Sequence, residues 1–283
     1  MIYLTPLNAH INISMNEDLS VQEWKLVYEQ CKEPGWPDYV ENLSGGSPFK
    51  EYPREVCEKV IDAFYRLKTR KIYTTGSIDV FYENALNGGG IKQSSYYLDI
   101  IKSRYKNRVF KKCYEWCSGP GFIGFSLLGH GLCKSVCFSD IHGPAIDCVK
   151  DSINHNNCKG TAYLGKDLSC LPSNEIFDLV VANPPHFKLP ADFHATNEND
   201  IRINVDLDWQ AHKDFFRNIK KNLASNGIVL LQENTNGSAL DVFLPFISQS
   251  GLRVTDVFYN RDYSTDNSSL YYIELTHEKL HIN

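Results

Sequence analysis

Long apolar runs are missing from this 283-residue chain, and none approaches the roughly twenty residues a membrane-spanning helix needs. No charged start, apolar stretch and small-residue cleavage site combine into a secretory leader, so cytoplasmic localisation without membrane association is expected. Basic residues are also scarce: 29 Lys and Arg stand against 34 Asp and Glu, a net charge of −5. A partner held mainly through phosphates needs a basic stripe, so charge alone makes nucleic acid the less favoured partner. No internal repeat or low-complexity tract is found, which excludes solenoid arrays and compositionally biased linkers. The 9 cysteines are odd in number and scattered, which reads as free thiols in a reducing compartment. Cys113-x-x-x-Cys117 and Cys133-x-x-x-Cys137 fall on or beside strands, where thiols are common core filler, so no metal is expected.

What is present suffices for a large core: 42% of residues are hydrophobic and 12% aromatic. Pro53–Arg70 carries apolar residues at Val56, Val60, Ile61, Phe64 and Leu67, the rhythm of an amphipathic helix opened by proline. Ile72-Tyr73 and Ile78–Tyr82 look extended, and a second helix is expected from about Ser94 to Tyr105. From Cys113 onward strands alternate with helices. Strands are expected near Cys113–Cys117, Ser135–Ser139, Thr161–Leu164, Phe177–Ala182 and Ile228–Gln232. Helices are expected near Phe122–Gly129, Pro144–Asn156, Trp209–Ala224 and Ala239–Ser250. That alternation means βαβ units and an α/β fold with a mostly parallel sheet. Val254–Tyr259 and Leu270–Leu275 follow with only a polar turn between them, so the last strand should return antiparallel. The expected division is residues 1–108 as an N-terminal recognition or lid region and residues 109–283 as the catalytic domain.

Gly119-x-Gly121-x-x-Gly124 follows a strand and opens a helix, letting backbone approach a ligand beside free helix N–H groups. Asp140 ends the next strand, about twenty residues beyond Gly121, where a carboxylate can accept from both hydroxyls of a ribose. The spacing alone suits a dinucleotide equally well, which keeps an NAD-dependent oxidoreductase open. Asp167, after the third strand, is placed for an adenine edge, and Glu115, at the end of the first, for a ligand ammonium. Asn183-Pro184-Pro185-His186 follows the apolar run Phe177–Ala182. Two prolines lock φ and donate no N–H, leaving a rigid rim rich in acceptors that suits a planar –NH2 group.

Together these motifs resemble the Asn-Pro-Pro-aromatic methyltransferases, in particular the release-factor glutamine methyltransferase family. Glu115–Gly121 is similar to that family's acid and glycine-rich turn, and Ser139–Ala145 to its ribose-binding strand end. Gly165–Leu168 is similar to its adenine-side acid, and Asp206–Trp209 to an acidic, glycine-rich stretch. The resemblance implies a Rossmann-like fold with a seven-stranded sheet ending in an antiparallel hairpin, and S-adenosyl-L-methionine as cofactor. By this resemblance Glu115, Gly119, Gly121, Asp140, Ile141, Asp167 and Asn183 hold the cofactor, and Asn183, Pro184 and His186 serve the transfer. Pro185 and His186 would face the acceptor, with Tyr96 and Tyr97 as a wall. Two positions depart from the family: Cys117 replaces a glycine of the turn, and His186 replaces Tyr or Phe.

The implied reaction is N-methylation of an amide or amine on a protein side chain or small molecule. Asn183 Oδ1 and the Pro184 carbonyl would accept from the target –NH2, so catalysis is mostly positioning. His186, Asp206 or Asp208 would receive the released proton. Alternatives are an adenine N6-methyltransferase on nucleic acid and a non-catalytic scaffold of the same fold. Lys102, Arg104, Lys106, Arg108, Lys111 and Lys112 cluster as a nucleic-acid site would, although such runs are usually solvated faces. Oligomeric state is not legible from these features.

Overall fold

The computed structural model describes residues 70–83, 86–87, 90–189, 205–262 and 269–278. The helix expected over Pro53–Arg70 lies outside the described residues but for its last position, and Arg70 opens a strand. The chain divides into two compact units, Met1–Lys71 with Glu83–Gly88, and Ile72–Tyr82 with Gly89–Asn283. The division expected from the sequence falls at residue 108. A hairpin strand and the helix before residue 108 belong to the unit that holds the main sheet.

Strands β1 (Arg70–Thr75) and β2 (Ile78–Glu83) form a hairpin, turned by Gly76 at φ 58°. Helix α1 (Gly90–Arg104) follows, starting four residues before the expected Ser94. The remaining elements alternate: β3 (Cys113–Trp116), α2 (Phe122–Gly129), β4 (Val136–Asp140), α3 (Gly143–Asn156), β5 (Gly160–Leu164), β6 (Phe177–Ala182). Short strands β7 (Phe187–Leu189) and β8 (Val205–Leu207) pair in parallel beyond β6. Helix α4 (Gln210–Asn218), β9 (Leu223–Asn234), α5 (Leu240–Ser250), β10 (Leu252–Tyr259) and β11 (Leu270–His277) complete the order.

Seven strands make one sheet in the order β10-β11-β9-β6-β3-β4-β5. β5, β4, β3, β6 and β9 run parallel, while β11 inserts antiparallel between β9 and β10. The carboxyl ends of the parallel strands thus meet along one edge. That edge is where open α/β sheets collect their ligands.

Alternation along the strands supplies a core on each face of the sheet. Leu179, Val181, Ile228 and Leu230 pack with α1 and α2 residues such as Tyr97, Ile101 and Phe125. Val180, Ala182, Val229 and Leu231 pack on the other face with Phe215, Phe216 and Phe243. Helix α4 is shorter than the expected Trp209–Ala224 because a 3-10 turn over Ile219–Asn222 closes it and β9 begins at Leu223.

Candidate active site

The glycine turn is assembled by carboxylates rather than by glycines alone. Gly119 donates its N–H to Asp140 Oδ2 at 2.7 Å, and Asp140 Oδ1 accepts from His142 N at 2.8 Å. Asp140 thus ties the end of β4 to the turn after β3. Asp140 also accepts from the Ile141 N–H, and a lone pair remains for a ribose hydroxyl. Burial lifts its pKa above the ordinary carboxylate value against those backbone donors. Gly119 sits at φ +50° with nothing within 4 Å of where a Cβ would stand, so this side of the turn is open to a ligand. Gly121, at φ +85°, faces inward, and a Cβ there would meet Phe138 at 2.7 Å. Cys117, the departure from glycine, also adopts φ 53°. A left-handed non-glycine residue carries strain of about 1–2 kcal/mol, so the backbone keeps the glycine conformation without the glycine.

Glu115 lies in β3, at the strand end where the sequence put it. Its side chain is buried, with Oε2 accepting from Gly124 N at 2.6 Å and Oε1 from Ile123 N at 3.3 Å. It pairs N–H groups in the first turn of α2. Gly124 permits this approach, since a Cβ there would lie 2.8 Å from Glu115 Oε2. Burial outweighs these N–H bonds and pushes the Glu115 pKa up to about 8.

Tyr96 and Tyr97 lie on α1. Both are buried, and the Tyr97 hydroxyl lies 2.6 Å from the Ala182 carbonyl and 3.0 Å from that of Leu230. As a donor to these carbonyls, Tyr97 pins the carboxyl end of β6, one residue before Asn183, from inside the core. Tyr73 and Tyr82 meet Phe122 edge-on, at 5.9 and 5.2 Å between ring centroids. Tyr73 and Tyr82 therefore pack on α2.

Asn183 does stand at the strand end, followed by buried Pro184 and Pro185. Its Oδ1 is buried without a hydrogen-bond partner. A buried acceptor left unpaired is unfavourable by about 1–3 kcal/mol, so this amide oxygen is poised for a donor brought by a ligand. Asp167 accepts from Ser169 N at 2.8 Å and caps a short 3-10 turn after β5, and the Ser169 side chain together with that N–H holds its pKa below the usual value. Ile141 is half-buried between Asp140 and α3.

His186 Nδ1 lies 3.2 Å from Glu233 Oε2, and Glu233 Oε1 lies 2.9 Å from His212 Nε2. His212 Nδ1 lies 2.7 Å from Asp206 Oδ2, and Ser238 Oγ donates to Glu233 Oε2 at 3.0 Å. Asp206 further accepts from the N–H groups of Ala211 and His212 at the start of α4. Trp116 and Trp209 meet the His212 ring edge-on and Phe243 stacks on it. Burial would lower the His212 pKa, but Glu233 and Asp206 outweigh it and raise it to about 9. Burial would raise that of Glu233, but His212 and His186 hold it below the usual range. Asp206 thus accepts from the His212 ring and from two backbone N–H groups. Asp208 is tied to Lys188 and Lys213 at 3.0 and 2.9 Å. Sequence reasoning missed Glu233, His212 and Ser238. The one signal was a Gln232-Glu233 pair closing the apolar run Ile228–Leu231. Among the described residues no group of His, Cys, Asp or Glu is arranged to hold a metal ion.

The strand order, the glycine turn after β3 and the acid ending β4 define a class I S-adenosylmethionine methyltransferase, and the open turn beside Asp140 fits that cofactor. Residues 95–242, more than half of the chain, match the methyltransferase small domain family, and the chain belongs to it. The chain is 24% identical over 113 residues to ribosomal RNA small subunit methyltransferase C of Haemophilus influenzae strain KW20/Rd, covering 40% of this chain and 32% of that protein. With the same enzyme of strain PittGG it shares 24% identity over 87 residues, 31% of this chain and 26% of that one. The match spans about a third of the length of these relatives. The T. thermophilus 16S rRNA N2 G1207 methyltransferase, solved with AdoMet and guanosine, shares the fold at a TM-score of 0.50 and 12% identity, covering 75% of this chain and 50% of that one. No helix among the described residues is long and apolar enough to cross a membrane.

Proposed function

We propose that this protein transfers a methyl group from S-adenosylmethionine to a planar –NH2 nitrogen. The observation that carries the reading is the unpartnered, buried Oδ1 of Asn183 at the carboxyl end of β6. An acceptor oxygen there draws one N–H of the target toward it and directs the nitrogen lone pair to the sulfonium methyl. Gly119 and Asp140 hold the cofactor's nucleoside, with Ile141 and Asp167 beside it. Pro184, Pro185 and His186 line the acceptor side.

The names of the relatives, which are ribosomal RNA methyltransferases, favour an exocyclic amine of a nucleobase as the acceptor. The net charge of −5 and the resemblance to glutamine methyltransferases favour an amide or amine on a protein or small molecule. Both present the same planar –NH2 group to Asn183.

S-adenosylhomocysteine should raise the melting temperature by mass action, and Asp140→Ala should shrink that rise. A melt raised by NAD and untouched by S-adenosylhomocysteine would overturn the assignment. Incubation of cell RNA, protein and metabolite fractions with methyl-tritiated S-adenosylmethionine then separates the acceptors. Ribonuclease-sensitive label is expected on the nucleobase reading and protease-sensitive label on the amide reading.

A further inference from the structure

Each bond in the chain Asp206, His212, Glu233, His186 has a determinate direction. An ionised carboxylate only accepts hydrogen bonds. His212 sits between two carboxyl groups, with Nδ1 at Asp206 Oδ2 and Nε2 at Glu233 Oε1, so both of its nitrogens carry protons. Glu233 is wholly buried and accepts from His212, His186 and Ser238, which satisfies both of its oxygens. His186 must then donate from Nδ1, and in the neutral ring this leaves the lone pair on Nε2. The two ring nitrogens point to diverging sides, so Nε2 faces away from Glu233. His186 keeps 13% of its side chain exposed while Glu233 and His212 keep none, so the network is most open at His186. Gly237 closes over the backbone there, where a Cβ would lie 2.3 Å from the His186 carbonyl oxygen.

We propose that Glu233, held by His212 and Ser238, is a positioning residue that fixes His186 as the Nδ1–H tautomer, making His186 Nε2 the acceptor of the proton released on methyl transfer. The inference rests on the N-methyltransferase reading. The target nitrogen bonds to the methyl carbon as the carbon–sulfur bond breaks, and the electron pair of that bond stays on the departing thioether sulfur. The nitrogen is left positively charged and loses one N–H proton to Nε2. The resulting imidazolium is paired with Glu233, which explains a histidine where a Tyr or Phe would only stack.

The experiment uses the full chain labelled with 15N-histidine, whose ring nitrogens report their protonation by NMR. At pH 7 His186 should be the Nδ1–H tautomer and His212 doubly protonated. In Glu233→Gln His186 should shift toward the Nε2–H form that prevails in water. Finding Nε2–H His186 in the wild type overturns the proposal, with no need for the variant to fold. With methyl-tritiated S-adenosylmethionine and the cell fraction that takes label, His186→Ala should lower kcat about a hundredfold. Added imidazole should restore much of that loss, and S-adenosylhomocysteine affinity should be unchanged. Turnover equal to wild type in His186→Ala also overturns the proposal. Failure of S-adenosylhomocysteine to bind the wild type sinks the methyltransferase reading instead, and the tautomer result stands apart from it.

Discussion

His212 Nε2 and Glu233 Oε1 meet at 2.9 Å with neither side chain exposed, joining helix α4 to the end of β9 beneath the Asn-Pro-Pro-His turn. Two acids and two histidines from four separate stretches of chain converge there. The charged His212 between Asp206 and Glu233, with the other donors to both carboxylates, is what makes this buried cluster tolerable.

Removing the central imidazole should therefore be severe. His212→Leu leaves Asp206 and Glu233 facing each other across an apolar side chain, and a loss of about 3–5 kcal/mol in denaturant unfolding is expected. The pH dependence has a definite sign. His212 is raised from 6.5 to about 9, so its contribution is complete below pH 6.5 and is lost as pH rises through 9. Wild-type stability should fall across that window, and His212→Leu should flatten the fall.

Glu115 adds a second slope of the same sign at lower pH. Its carboxyl is raised from 4.5 to about 8, so the folded state binds the extra proton between those values. Its contribution is largest below pH 4.5 and declines as pH rises through 8. Glu115→Gln should reduce the slope between pH 5 and 8 in thermal melts followed at each pH. Glu115→Ala should lower stability by about 1.5–3 kcal/mol by leaving the first N–H groups of α2 unpaired.

Asn183→Ala separates binding from chemistry. An acceptor engaged mainly in the transition state should lower kcat by about a hundredfold when removed. Calorimetric affinity for S-adenosylhomocysteine should stay within about threefold of wild type. Near-normal turnover would reduce the Asn-Pro-Pro turn to a structural feature.

Cys117 tests the cost of a left-handed residue in the cofactor turn. Cys117→Gly relieves strain of about 1–2 kcal/mol and adds backbone entropy of similar size to the unfolded chain, so melting should change little. Cys117→Val, β-branched at positive φ, should be less stable than Cys117→Gly by about 1–2 kcal/mol.

Tyr97→Phe keeps the ring and deletes only the hydroxyl that supports Ala182 and Leu230. Stability should fall by about 1–3 kcal/mol, and kcat should fall with it because Asn183 loses the anchor behind it. Unchanged kcat would show that β6 holds Asn183 without this support.

The sequence by itself determined the alternation of strands and helices from Cys113 onward, the antiparallel return of the last strand, and the placing of Asp140, Asp167 and Asn183 after successive strands. These features are local: period, turn residues and strand ends are written in neighbouring positions. Tertiary structure alone decided that Glu115 turns inward to α2, that Tyr97 supports β6 from the core, and that β11 inserts between β9 and β10. It also decided that His186 has Glu233 for a partner. Residues 186, 206, 212 and 233 lie on different elements. Only the folding of α4 and β9 against the carboxyl edge of the sheet brings their charges close enough to fix one another's protons.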